Sequence, residues 1–574
     1  MIPDWIILDA IGPFFRDYPK KRVNWSKIPF PHVAKSGWLE PGAVQTQLIK
    51  DFKGFLKKAQ AAGYNTITLD DLVHLLPADA YQPEMQEIIA TYRSLYSTLF
   101  ENASARNMRI LITSDVFSLH PDLAARIGNQ PQACFDWLAT TINQLLADFP
   151  AIAGIIFRIG ESDSIGTKGT FLSKLLIRTP EQANTFLKTL LPVFEHHDRS
   201  LFFRTWTVGA YSVGDLIWHH RTFQRVFKDI SSENLIISMK PGESDFFRFL
   251  PLNTHFFRTS LKTIVELQTR PEYEGFGEYP SFTGWEHERI LQQLQHAPNC
   301  VGTSVWCQTG GWGKFKRLTW IHESSVWTEL NTHIAAALCQ GSDCDTAIRT
   351  YAKQHLPKTD PDDLITFLAL ADDVIREGLY IREFATRKLF FRRLRVPPLL
   401  FPYWDRIMMS PAMRRVMRSI VENQQACVQE GWQACKKIRI MQNIAKRANI
   451  PEQGLAFQHD TFQILALLRE YVFADPEDEQ ACIERLKQAR TQYRKTWKPR
   501  YAIKCTFAPH KRYWIRVQWW RRLLVREQRG YRLLDSIITL RLLAILYPML
   551  GSLRQRMLPK FARKQAMGID SVFK

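Results

Sequence analysis

Carboxylates, guanidinium groups, an ammonium group and indole rings crowd into a few short passages of the chain. FRIGESDS carries Arg158, Glu161 and Asp163, and FFRTWTVG carries Arg204 and Trp206. MKPGESD supplies Lys240, Glu243 and Asp245, and ELQTRPEYEG supplies Glu266, Gln268, Arg270, Glu272 and Glu274. Trp306 and Gln308 then precede a Gly-rich TGGWG stretch with Trp312. Paired carboxyl groups can protonate a leaving oxygen and deprotonate a water. Cations can hold an anionic substituent, and indole faces can cover the apolar face of a pyranose, so the set suits a sugar site. A metal fits less well: His196–His197 and His219–His220 are adjacent pairs whose rings diverge on a helix, and neither HxH nor HExxH spacing occurs. A Ser-His-Asp hydrolase would need a Gly-x-Ser-x-Gly elbow, which is missing. No cofactor is expected.

The elements that must position these residues alternate. Apolar, β-branched runs predict strands at Trp5–Ile11, Thr66–Leu69, Met108–Thr113, Ile152–Ile159, Leu201–Thr207, Asn234–Met239, Thr263–Gln268 and Val301–Cys307. Amphipathic stretches such as Val44–Ala62, Cys134–Phe149, Pro180–His197 and Glu286–His296 lie between them. Near-continuous apolar strands, each followed by a crossover, predict an α/β fold, a (β/α)8 TIM barrel. An open doubly wound sheet is the alternative, but no GxGxxG turn follows the first strand and no P-loop occurs. In such a barrel the chemistry belongs at the C-terminal ends of the strands. Asp9, Asp70, Asp71, Ser114 and Asp115 fall there together with the passages above. Each has a plainer reading. Asp9, Asp115 and Glu266 could be hydrogen-bonded structural carboxylates, Lys240 and Arg204 their counter-charges, and Trp206, Trp306 and Trp312 packing residues.

MKPGESDFF followed by ELQTRPEYEG resembles the paired motif of glycoside hydrolase family 67, the α-glucuronidases. The first element is matched by Lys240, Gly242, Asp245 and Phe246, the second by Glu266, Gln268, Glu272, Tyr273 and Gly275. FFRTWTVG resembles the family's strand-five segment through Arg204, and FRIGES its strand-four segment through Glu161. The resemblance covers about residues 150–312. It implies an inverting hydrolase of an acidic sugar, with Glu161 as general acid and either Asp245 or Glu272 activating water. It further implies Lys240 and Arg204, with Arg158 offset by one position, as partners of a uronate carboxylate. Trp206 and Trp306 are candidate sugar-binding rings. The chain departs from the family in beginning its barrel at residue 5 and in its basic C-terminal tail. The reading from a different class is a non-catalytic barrel that binds acidic glycans or serves as a scaffold in envelope polysaccharide or glycolipid assembly.

Three segments are expected: a catalytic barrel over 1–320, a helical region over 321–500 that packs on it, and a basic, aromatic-rich tail over 501–574. Helical periodicity runs over Trp327–Cys339, Asp343–Gln354, Pro361–Glu377, Ala412–Lys446, Gln458–Phe473 and Glu479–Trp497, while strand signals mostly vanish. Leu389–Met409 mixes basic, apolar and Pro residues and reads as a cover over the barrel mouth or a docking element. The 574 residues carry 76 basic and 56 acidic side chains, a net +20, and the tail holds 16 basic against 3 acidic, or +13 of it. That asymmetry points to an anionic partner, and Trp/Arg mixtures such as YWIRVQWWRRLLVREQRGYR suit an anionic membrane surface. Nucleic acid ranks below it because no zinc-finger, RNP1 or KH signature occurs; the plain alternative is a basic helix face docked on the same protein. Nine dispersed cysteines, with no basic leader and no long apolar span, suggest the cytoplasm, peripheral on the inner membrane face if the tail docks there.

Overall fold

A computed structural model describes residues 4–10 and 43–507, apart from 116, 129, 161–170, 208–210, 308–314, 316–319, 321–324, 392, 399–400, 404 and 499. The tail beyond 507 lies outside the described residues, so the membrane reading has no structural counterpart here. Eight parallel strands close into a barrel in chain order. They are β1 (Trp5–Asp9), β2 (Thr66–Asp70), β3 (Arg109–Asp115), β4 (Ile152–Arg158), β5 (Ser200–Arg204), β6 (Leu235–Met239), β7 (Lys262–Gln268) and β8 (Cys300–Trp306). The helices following them are α1 (Ala43–Ala62), α2 (Pro83–Ser104), α3 (Pro131–Asp148), α4 (Pro180–His196), α5 (His220–Val226), α6 (His255–Arg258), α7 (Gly284–Leu294) and α8 (Val326–Cys339). Because β1 bonds to both β8 and β2, the sheet has no edge, and the open alternative is excluded.

The closure explains the apolar strands. WIILD, TITLD and LIISM are buried at every position, one face against the helices and the other in the lumen. Trp5, Ile7, Leu111, Ile156, Phe202, Ile236 and Ile264 form the lumen's own apolar cluster, and the two-residue strand period then fixes which later residues face the mouth. Where β4 and β8 shift register, glycines let the strands approach. A Cβ on Gly154 would lie 2.3 Å from the Ser200 carbonyl oxygen, and one on Gly302 2.5 Å from the Trp5 Cβ. Pro at the first turn starts α2, α3 and α4, and Thr179 with Gln182 forms a capping box on α4.

The helices after the barrel are α9 (Cys344–His355), α10 (Pro361–Val374), α11 (Pro411–Ile420), α12 (Gln424–Ala448), α13 (Leu455–Phe473) and α14 (Glu479–Thr496). The single helix expected over 412–446 is two. Val421 is extended, and the Asn423 side chain accepts from the Ala426 amide at 3.0 Å to begin α12 afresh. Strands also return, against expectation: a hairpin of Phe390–Phe391 with Leu394–Arg395, and a sheet of Pro402–Tyr403, Arg406–Met409 and Ala502–Cys505. One apolar core joins Phe247, Tyr273, Phe276 and Tyr279, in the loops after β6 and β7, to the helical region as far as Ile503. Among the described residues no helix is long and apolar enough to cross a membrane.

Candidate active site

Period-two alternation turns Asp9, Asp70, Arg158, Arg204, Gln268 and Trp306 to the lumen side at the ends of their strands, and Lys240 continues the parity of β6. Just below them on the same face lie Thr68, Thr113, Ser238, Glu266 and Ser304, hydroxyls and one carboxylate in otherwise apolar strands. These hydroxyls escape a motif search. The signal for them was the polar residue at an inward position one step before each strand's end.

The barrel brings the charges together in pairs. The Arg204 guanidinium bonds Asp9, and its Nε lies 3.3 Å from Glu266 Oε1; all three side chains are buried. Ser238 Oγ donates to Glu266 Oε1 at 2.6 Å, and Thr68 Oγ1 donates to Asp9 Oδ1 at 3.0 Å. Buried charges are tolerated when paired and hydrogen-bonded in this way. Lys240 bonds Asp245, whose other oxygen accepts from Tyr273 Oη at 2.8 Å while the Phe246 amide donates to the first at 2.9 Å. Glu272, which precedes Tyr273, is buried, its amide donating to Gln268 Oε1 at 3.1 Å. The Lys240 Nζ lies 3.6 Å from the Trp206 ring centroid and 4.5 Å from that of Phe246, and the Arg204 guanidinium carbon 4.4 Å from that of Trp306. One face of each candidate indole platform is therefore covered by a cation.

At β2 the two aspartates divide. Asp71 turns away from the lumen and caps the short 3-10 turn Leu72–His74 through the Val73 amide. Asp70 stays inward, and one of its oxygens accepts from the Thr113 hydroxyl. Burial, reinforced by Asp71 and Asp9, holds the Asp70 carboxyl well above the usual carboxylate range against the opposing pull of Arg158 and Thr113.

Three mouth residues singled out in the sequence serve the loops instead. Glu243 pairs with Arg395 at 3.0 Å; the nearby Trp218 Nε1 donates to the Arg393 carbonyl at 2.7 Å. The segment from Phe390 onward is thereby held on the loops after β5 and β6. Arg270 donates to the Phe276 and Phe315 carbonyls at 3.0 and 2.9 Å. Glu274 pairs with Arg248, which also reaches Asp372 of α10 at 3.0 Å. Burial raises Glu274, and Arg248 with Ser281 and Tyr380 more than reverses this. Glu161, Asp163, Gln308 and Trp312 lie outside the described residues, and Asp115 ends β3.

No protein-family model and no curated protein matches the chain. Solved structures do resemble it. A GH138 enzyme targeting pectin rhamnogalacturonan II superposes with a TM-score of 0.54 at 11% identity, over 87% of this chain and 63% of that one. The chain thus spans under two thirds of that protein's length. A GH89 enzyme from Clostridium perfringens, solved with its substrate GlcNAc-α-1,4-galactose, gives a TM-score of 0.40 at 8% identity over 86% of this chain and 53% of its own. At 11% identity the likeness to the GH138 enzyme is one of fold alone.

Proposed function

We propose that the chain is a glycoside hydrolase acting on a bond to an acidic sugar, with Glu161 as general acid and Asp245 or Glu272 activating water by inversion. The observation that carries the reading is the join of β6 and β7. There Asp245, oriented by Tyr273 and the Phe246 amide, is buried beside the ammonium of Lys240, and Glu272, next to Tyr273 in the chain, is buried as well. Glu161 follows the end of β4 by three positions in the sequence. An inverting pair stands about 6.5–9.5 Å apart, leaving room for the water. In the reaction the acid protonates the glycosidic oxygen as the base draws a proton from the attacking water. Lys240, Arg204 and Arg158 are the proposed partners of the sugar's carboxylate. Trp206 and Trp306 are the rings proposed to meet the sugar.

The non-catalytic alternative also has an observation in its favour. Arg204 and Lys240 are already satisfied by the protein's own carboxylates, as in a settled ion-pair network. Release of free uronic acid from a panel of uronate-bearing oligosaccharides separates the two. Wild type is expected to hydrolyse at least one with inversion at the anomeric carbon, and Glu161→Gln to lower the rate by about 10²–10⁴. Binding by calorimetry without release from any substrate would transfer the proposal to the glycan-binding barrel. The basic tail is proposed to meet an anionic membrane surface, tested by sedimentation with anionic liposomes at low salt.

A further inference from the structure

Asp70 stands apart from the paired charges of the mouth. It ends β2 on the lumen side, is 6% exposed, and its Oδ2 has no hydrogen-bond partner among the described residues. Its Oδ1 takes the Thr113 hydroxyl from β3, and its main-chain carbonyl takes the Tyr96 phenol from α2. The charged and titratable groups around it are Asp9 on β1, Asp71 beside it, Arg158 on β4 and Tyr96 on α2, with His74 behind Asp71. A carboxylate at this position would leave an oxygen buried and unbonded within reach of two other carboxylates, an expensive arrangement without a ligand.

We propose that Asp70 is a sugar-binding residue whose Oδ2 hydrogen-bonds an acceptor oxygen of the substrate in the barrel mouth, best the carboxylate of an acidic sugar. The inference rests on the sugar-site reading above and deepens it. Asp70 acts in its acid form: burial and its two acidic neighbours keep the proton on, so Oδ2–H donates where an ionised Asp70 would repel the ligand. Arg158 on β4 then offers a second donor from the same side, a cation and an un-ionised acid presented together to one carboxylate. Asp70 is thus a binding and specificity residue, distinct from Glu161, Asp245 and Glu272.

The sign of the linkage makes a test that needs no substrate. In the unfolded chain Asp70 ionises near about pH 4, whereas the folded form must take a proton up above that pH. Folding is therefore penalised at neutral pH and not at acid pH. Asp70→Asn keeps shape and donor but removes the penalty, so it is expected to raise the melting temperature at pH 7 and leave it unchanged near pH 4. The infrared carbonyl stretch of un-ionised carboxyls is expected in wild type at pH 7, with the intensity of one such group lost in Asp70→Asn. Glucuronate and glucose then serve as probes in calorimetry of the full chain. Asp70→Leu is expected to weaken glucuronate by about tenfold to a hundredfold, and Asp70→Asn by no more than about threefold. Wild-type affinity for glucuronate should fall as pH rises, and that for glucose should not.

Loss of stability in Asp70→Asn at pH 7, or an un-ionised carboxyl band identical in wild type and Asp70→Asn, overturns the proposal by showing that Asp70 is an ordinary ionised carboxylate. Unchanged glucuronate binding in Asp70→Leu overturns it as well. Failure of both sugars to bind, with the infrared difference present, instead removes the sugar-site reading on which it stands. If Asp70→Leu does not fold, Asp70→Asn and the wild-type spectrum still decide the matter.

Discussion

Lys240 has two claimants. Its ammonium is held by Asp245 and walled by Trp206 and Phe246, yet the proposed reaction brings it a sugar carboxylate. An acidic ligand that draws the ammonium toward itself loosens Asp245 from its counter-charge, and Tyr273 keeps that carboxylate oriented meanwhile. Tyr273→Phe, which removes one neutral donor and little volume, is expected to lower kcat by about tenfold with KM nearly unchanged, read from uronic acid release. Lys240→Met is expected to lower turnover of acidic substrates by at least about a hundredfold and to raise their KM, because it removes the cation and leaves the buried Asp245 without its counter-charge. At this scale the sequence was legible in residue type more than in pairing. Acidic and basic groups at strand ends could be read directly. That Arg204 meets Asp9, 195 residues earlier, depends on barrel closure and register, which no local pattern encodes. Period-two counting from the lumen cluster would have found Thr68, Thr113 and Ser238, since their burial follows from strand parity alone.

The loop after β7 is the element on which the site leans. Arg248 links Glu274 of that loop to Asp372 of α10, Tyr380 Oη donates to Glu274 at 3.1 Å, and Arg500 reaches Glu278 at 3.1 Å. Burial alone would lower the Arg248 guanidinium, but Glu274 and Asp372 outweigh it and hold it above its ordinary value. Arg248→Met leaves the buried Glu274 without its cation, while Asp372 keeps Arg376 at 2.7 Å, so a loss of about 3–5 kcal/mol is expected in urea unfolding, together with reduced activity because Glu272 and Tyr273 share the loop. Glu243→Gln should loosen the Phe390–Met409 segment, seen as faster limited proteolysis there with the barrel intact. The eight barrel strands were legible because burial on both faces makes them apolar and β-branched throughout. The hairpin and small sheet of the 390–505 stretch were not, because strands of two to four residues carry no measurable period. The break between α11 and α12 turned on one capping side chain, Asn423, inside an otherwise continuous helical pattern.

For the molecule as a whole, acid is the weak side. Burial pushes His255 and His287 down to about 3, with His220 and Arg248 respectively adding to the effect. Their imidazoles protonate near about 6.5 once unfolded, so their share of stability is complete above that pH and is lost as pH falls toward 3. Glu286 adds a second, lower step. Burial raises it, the cations Arg289, Arg248 and Arg376 bring it down to about 2, and its contribution, present above about pH 4.5, disappears as pH falls through 2. Melting temperature is expected to drop steadily between about pH 6.5 and 3, and His255→Gln with His287→Asn should flatten that slope. The ring of strands carries a consequence for synthesis. β1 finds one of its two neighbours, β8, only after residue 306 has been made, and Glu278 meets Arg500 later still. At about 5–20 residues per second the first strand waits on the order of 15–60 s on the ribosome with an unpaired edge. Through that interval the nascent chain presents Trp5, Ile7 and the rest of the lumen face to solvent, and a holding chaperone has its longest opportunity to bind.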